Sequence, residues 1–186
     1  MTKSLGNPLF DQVSPHKDGR RYEFGDWKTL PEIVHDGARI HGFFGDYRWL
    51  SNFGKASVEL DGVTYSSVEI AYQAAKWSPE DRCFFESCTS RQSVEYNRTF
   101  APNRHAPEVW DEIKLEVMRF LLEQKFDPER NPEQAVRLQA TDERELVETN
   151  WWGDVYWGRT LEGVGENNLG QLLMEIRAEL LQGGSL

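Results

Sequence analysis

The sequence predicts a mainly helical α+β domain with one small β-hairpin. Three observations carry that prediction. Apolar residues recur at helical spacing over residues 108–126 and again over 169–180. Ser-Pro and Asn-Pro pairs stand where helices begin. One stretch alternates apolar and polar residues around a tight turn dipeptide. With 186 residues, 39% of them hydrophobic and 28% charged, the chain can bury one core without covalent staples. The expected organisation is an accessory arm over residues 1–38, one domain over 39–182 and a tail over 183–186.

Each element has a local reason. The arm has no sustained period. Its Arg20-Arg21-Tyr22-Glu23-Phe24 segment reads as a short edge strand, with Phe24, Trp27, Leu30 and Ile33 as anchors. Val58-Glu59-Leu60 and Val63-Thr64-Tyr65 flank Asp61-Gly62, a dipeptide that favours a two-residue type I′ turn, so a hairpin is expected there. Ser66-Ser67-Val68-Glu69 predicts a capping box opening a helix that reaches Trp77. Ser78-Pro79-Glu80 predicts a second helix start. Over 108–126 the apolar stripe is Val109, Ile113, Val117, Phe120 and Leu121. Asn131-Pro132-Glu133 starts a short helix, and Leu146-Val147 reads as a strand. Leu169, Leu172, Leu173, Ile176 and Leu180 share a face of the last helix, which Gly183-Gly184 ends.

Charge and composition narrow the function. Lys plus Arg number 21 against 31 Asp plus Glu, a net charge of −10. A broad grip on a nucleic-acid backbone is not expected of such a surface, although a local basic pocket is compatible with it. Cys83 and Cys88 make neither a disulfide framework nor a zinc site and read as free thiols in a reducing compartment. His16, His35, His41 and His105 show no ligand spacing, and no nucleophile-elbow pattern occurs. No apolar run is long enough for a membrane span. The first residues hold no apolar h-region, so the expected location is the cytoplasm.

Three clusters carry candidate chemistry. Glu69, Tyr72, Gln73 and Lys76 stand at i, i+3, i+4 and i+7, which places a carboxylate, a phenol, an amide and an ammonium on one helix face. The neighbouring positions are apolar, so this polar stripe fits a pocket. The plainer reading makes Glu69 a capping-box member and Lys76 a solvated charge. Asn150-Trp151-Trp152-Gly153-Asp154-Val155-Tyr156-Trp157-Gly158 concentrates three of the seven tryptophans, as a stacking wall for a flat ligand would. Its plainer reading is an aromatic-pinned loop with Asp154 capping a turn. Gly163-Val164-Gly165-Glu166-Asn167-Asn168-Leu169-Gly170 runs into a helix start, a place where backbone N–H groups can meet phosphate. It lacks the lysine of a Walker A loop and the context of a dinucleotide fingerprint.

Four ordered blocks together resemble the NADAR (YbiA-like) family over roughly residues 40–181. They are Phe43-Phe44-Gly45-Asp46-Tyr47-Arg48-Trp49-Leu50-Ser51-Asn52-Phe53 with the hairpin, Ser67-Val68-Glu69-Ile70-Ala71-Tyr72-Gln73-Ala74-Ala75-Lys76, Trp110 to Met118, and Tyr156-Trp157-Gly158 with Gly163 to Arg177. The resemblance implies a mainly α fold and cleavage of N-glycosidic bonds at ribose. Family members act on phosphoribosylamino intermediates of riboflavin synthesis or remove ADP-ribose from guanine in nucleic acid. The family's catalytic Glu, Trp and Asp fall on Glu69, Trp110 and Asp154. Ile70 stands where the family usually has His, and Ala75 where it usually has Gln. Arg98 and Arg104, before Trp110, sit at altered spacing.

Breaking a ribosyl C1–N bond needs a proton for the departing nitrogen, an anion beside the cationic carbon and a base for the attacking water. Two carboxylates in different environments can divide these tasks. The expected roles are Glu69 as general acid/base, Asp154 as its partner and Trp110 as a stacking surface. Arg48 and Lys76 take phosphate charge, with a Schiff base on Lys76 as the other option. Asn52, Tyr72, Gln73, Trp157, Gly165 and Asn167 complete the expected substrate contacts. No metal or cofactor is needed. The arm's Lys17, Arg20 and Arg21 offer a rim for an ADP-ribosylated strand. The rival reading is a non-catalytic module that binds ADP-ribose or a nucleotide.

Overall fold

A computed structural model describes residues 37–100 and 110–183. The expectations for the arm, for Val109, and for His16, His35, Arg104 and His105 lie outside the described residues. The described residues form two compact units, one of residues 37–43 and 143–171, the other of 44–100, 110–142 and 172–183. Five α-helices dominate, with a few short strands.

The larger unit begins, after a one-turn 3-10 segment, with the hairpin. Strands β2 (Lys55–Leu60) and β3 (Val63–Ser67) pair antiparallel with Val58 opposite Tyr65 and Leu60 opposite Val63. That register leaves a two-residue turn, and both Asp61 (φ 50°) and Gly62 (φ 80°) adopt the left-handed backbone a type I′ turn requires.

Helix α1 (Val68–Ala74) starts one residue later than a Ser66 cap would place it. Ser67 is the cap, its hydroxyl accepting from the Ile70 N–H at 3.2 Å. Ile70 therefore takes the position that the capping box would give to Glu69. The helix closes at Ala75 rather than running on to Trp77. All seven of its residues are buried.

Ser78-Pro79-Glu80 opens only a one-turn 3-10 segment. Helix α2 (Ser90–Phe100) follows, without a sequence expectation. It is polar on most sides and buries only Ser93 and Asn97. Helix α3 (Trp110–Lys125) buries Met118, Leu121, Leu122 and Lys125. Its buried face is rotated from the expected stripe, and Phe120 is 51% exposed. Helix α4 (Pro132–Gln139) starts after Asn131, whose amide exchanges two hydrogen bonds with the Ser57 backbone of β2 instead of capping.

The smaller unit is built on two short parallel pairs. Strand β1 (Arg39–His41) pairs with β4 (Glu145–Val147), Ile40 opposite Leu146. Strand β5 (Thr149–Asn150) pairs with β6 (Arg159–Thr160). Helix α5 (Asn168–Gly183) begins in this unit, where Leu169 is buried, and from Leu172 belongs to the larger one, where Leu172, Leu173 and Ile176 are buried.

Candidate active site

Helix α1 and the start of α3 build the cluster in the larger unit. The Glu69 carboxylate is buried, at 8% exposure, and accepts from Gln73 Nε2 at 2.7 Å. Gln73 Oε1 in turn accepts from Lys76 Nζ at 2.9 Å. The two bonds fix the amide's orientation, since its nitrogen must face the carboxylate and its oxygen the ammonium. The spacing of four along α1 brings Glu69 and Gln73 together, and Lys76 reaches Gln73 from the turn after the helix. Tyr72 and Trp110 pack at 5.2 Å between ring centroids, tilted by 54°. Lys76 Nζ lies 4.8 Å from the Tyr72 ring centroid and 5.6 Å from that of Trp110. Glu69, Tyr72, Gln73 and Lys76 are thus brought together as the sequence spacing expects, and Trp110, expected only from the family resemblance, packs beside them.

The loop before the hairpin adds Asn52. Its carbonyl accepts the Glu69 N–H at 3.0 Å, which satisfies one of the donors that a helix start leaves open. Its side chain is 7% exposed, contacts Met118 Sδ at 3.4 Å through Nδ2, and has no partner for Oδ1 among the described residues. A buried amide oxygen in that state marks a place where a donor is wanted. Arg48 is exposed, 5.2 Å over the Phe53 ring.

Sequence reasoning missed two residues here. Asn97 of α2 donates to the Gln73 carbonyl at 3.2 Å and accepts from the Trp77 indole at 2.9 Å, tying down the end of α1. Lys125 is wholly buried below the Asn52 loop. Polar residues on helices read as solvated faces, so no pattern pointed to either.

Asp154 belongs to the smaller unit. Its Oδ1 accepts from the N–H groups of Tyr156 at 3.0 Å and Trp157 at 2.9 Å, so it caps a turn as the plainer reading has it. Its own N–H donates to Asn150 Oδ1 at 2.9 Å. The tryptophans divide: Trp151 is buried at 5% exposure, Trp152 is exposed and Trp157 is half-buried.

In the glycine-rich loop the amides turn inward. The N–H groups of Glu166, Asn167, Asn168 and Leu169 donate to the carbonyls of Val155, Gly158, Tyr156 and Trp157. Asn167, at φ 59°, spends its side chain on the Leu146 carbonyl and the Glu148 N–H, both at 2.9 Å. The phosphate-cradle expectation for this loop therefore meets amides already engaged. Gly165 sits at φ 140°, and a Cβ there would overlap the Gly158 carbonyl. Gly165→Ala should cost about 2 kcal/mol or more, read as a lowered thermal midpoint.

The smaller unit also holds a cavity of about 290 Å³, lined by Arg39, His41, Glu145, Thr149, Arg159 and Thr160 among others. Glu145 bridges the two guanidiniums, at 3.0 Å to Arg39 and 3.1 Å to Arg159. None of the expected site residues lines it. Among the described residues no group of three His, Cys, Asp or Glu is placed to hold a metal.

Comparison with known proteins completes the picture. The NADAR domain matches residues 41–181. An N-glycosidase YbiA of Shigella flexneri serotype 5b is 36% identical over 137 residues, 73% of this chain and 82% of that protein. A riboflavin biosynthesis protein of Vibrio vulnificus is 34% identical over 153 residues, 81% of this chain but 38% of that protein. The NMR structure of the Escherichia coli protein YbiA superposes with a TM-score of 0.68 at 30% identity, covering 82% of this chain and 90% of that one. On the profile match and on these relatives, the chain belongs to the NADAR domain family.

Proposed function

We propose that this protein is an N-glycosidase that hydrolyses the C1–N bond of a phosphorylated ribose N-glycoside, with Glu69 as the general acid and base. One observation carries the reading. A buried carboxylate is held in place by Gln73, in the same cluster as two aromatic rings and an ammonium. That set matches the needs of a ribosyl transfer: a proton carrier, a surface for a flat base and a cation for phosphate. The family membership and the YbiA relatives support the same chemistry.

In the proposed reaction the Glu69 carboxyl group protonates the departing nitrogen as the C1–N bond breaks. The carboxylate then takes a proton from the water that attacks C1, and the products are a free amine and a reducing sugar. Trp110, half-buried and packed on Tyr72, offers its ring to the base. Lys76 is proposed to neutralise phosphate. A Schiff base on Lys76 is the other option. Arg48, on the exposed loop, is the second phosphate partner, and Asn52 Oδ1 accepts a substrate hydroxyl or amine. Asp154 is assigned the second carboxylate's task, through the Oδ2 oxygen that its turn bonds leave out. Gln73 is proposed to hold Glu69, and Gly165 and Asn167 to hold the loop that carries Asp154. Trp157, whose backbone N–H holds Asp154 Oδ1, is proposed as a further substrate contact.

The proposed substrate is a phosphoribosylamino intermediate of riboflavin synthesis. Net charge −10 favours a small metabolite over a long strand. ADP-ribose on guanine is the second candidate. A phosphorylated metabolite goes with a cytoplasmic location, and no described helix is long and apolar enough to cross a membrane.

The test is a side-by-side turnover assay, with chelator present, of a phosphoribosylaminopyrimidine and an ADP-ribosyl-guanine oligonucleotide. Release of amine and reducing sugar from the first is expected. Tight binding of either without product would leave a binding module. Loss of activity in the chelator, restored by a divalent ion, would contradict the metal-free scheme.

Trp110→Phe tests the stacking surface. The smaller ring keeps most of the packing on Tyr72, so stability should change by about 1 kcal/mol or less. KM should rise roughly threefold to tenfold, the share of stacking that the second ring supplies. Unchanged KM and kcat would remove Trp110 from substrate contact.

A further inference from the structure

We infer that Lys125 is a positioning residue for Glu69, acting through the backbone of residues 50–52. The inference rests on the reading of Glu69 as the acid/base. Lys125 closes α3 and is 0% exposed. Taking an ammonium out of water is costly unless its protons are well placed. Here Nζ donates to the Ser51 carbonyl at 2.8 Å and the Leu50 carbonyl at 3.2 Å, and lies 5.1 Å from the Phe126 ring centroid. The next carbonyl along, that of Asn52, accepts the Glu69 N–H. Three consecutive carbonyls are thus divided between one buried charge and the first turn of the helix that carries Glu69.

The same loop touches α3 a second time, through Asn52 Nδ2 at Met118 Sδ. It is pinned between α1, which bears Glu69, and α3, which bears Trp110. Among the described residues no strand pairs with residues 50–52, so the ammonium does for them what a ladder does for a strand. A methionine of similar length would fill the volume yet leave the Leu50 carbonyl unpaired and Ser51 with only the Gly54 N–H, at 2.8 Å. The loop would then relax, and the Asn52 carbonyl would shift under Glu69. Well-packed apolar residues often stabilise a fold more than a buried charge does, so a charge here fits a demand for placement.

The test is a double-mutant cycle on the full chain, with the ribosyl substrate it turns over: wild type, Lys125→Met, Glu69→Gln and both together. Lys125→Met should lower kcat roughly tenfold to a hundredfold with KM within about threefold, the pattern of a misplaced acid/base. In the Glu69→Gln background it should cost less than about threefold more, because the residue it acts through has already lost its proton. Amide exchange should show Glu69 N–H losing protection in Lys125→Met while Leu121 and Leu122 keep theirs. Lys125→Gln retains a donor and should recover part of the loss, and it carries the cycle if the methionine variant does not fold. Multiplicative losses in the double variant, a Glu69 amide that stays protected, or failure of both Lys125 variants to fold would overturn the proposal. Full activity of Glu69→Gln alone would instead overturn the acid/base reading.

Discussion

Glu69→Gln should lower kcat by about 10²–10⁴-fold, some 3–5 kcal/mol of barrier, while the protein stays folded and still binds substrate. The geometry makes this a clean change. The glutamine carbonyl can still accept from Gln73 Nε2, so the Lys76–Gln73 chain and the packing of α1 survive. Ser67 holds the helix start through Ile70, so the cap does not depend on the carboxylate. Only the ionisable proton is lost. Steady-state kinetics, a thermal melt and a binding titration on the same preparation check it. A variant with wild-type kcat would reduce Glu69 to a buried helix residue.

Asp154→Asn should lower kcat by roughly 10²-fold with KM within about threefold, because a charge that steadies a cationic sugar acts mainly in the transition state. Asparagine keeps an Oδ1 for the Tyr156 and Trp157 N–H groups, so the turn stays built and only the charge goes. Asp154→Ala loses both acceptor bonds and should also destabilise, by about 1–3 kcal/mol. A rise in KM at constant kcat for the asparagine variant would make Asp154 a hydroxyl contact. No change in either would leave it a turn cap alone.

Local signals were legible where chemistry and geometry share a short stretch. Asp61-Gly62 announced its turn because so few residues accept two successive positive φ values. Glu69 and Gln73 announced a shared polar face because helical spacing places them, and Lys76 joins them from the turn after α1. Adjacent serines left the cap of α1 ambiguous by one residue. Parallel pairing of Arg39–His41 with Glu145–Val147 joins strands about a hundred residues apart, and three-residue strands carry no usable period. The stripe on α3 was misplaced because Phe120 looks like core yet faces solvent, while Lys125 looks like surface yet is buried. Tertiary packing decides such positions. The tryptophan-rich loop showed its aromatic density, and its plainer reading, Asp154 capping a turn, is the one the Tyr156 and Trp157 N–H groups realise.

The most direct test of the central claim is turnover of the phosphoribosylaminopyrimidine in water enriched in heavy oxygen, with the products read by mass spectrometry. The sugar is read in samples quenched before an added unlabelled sugar phosphate has exchanged its C1 oxygen with solvent. The account predicts from wild type a free amine without label and a reducing sugar phosphate carrying the label at C1, with scarcely any of either product from Glu69→Gln. An unlabelled sugar, labelled amine, or product formed equally by the Glu69→Gln variant would contradict it.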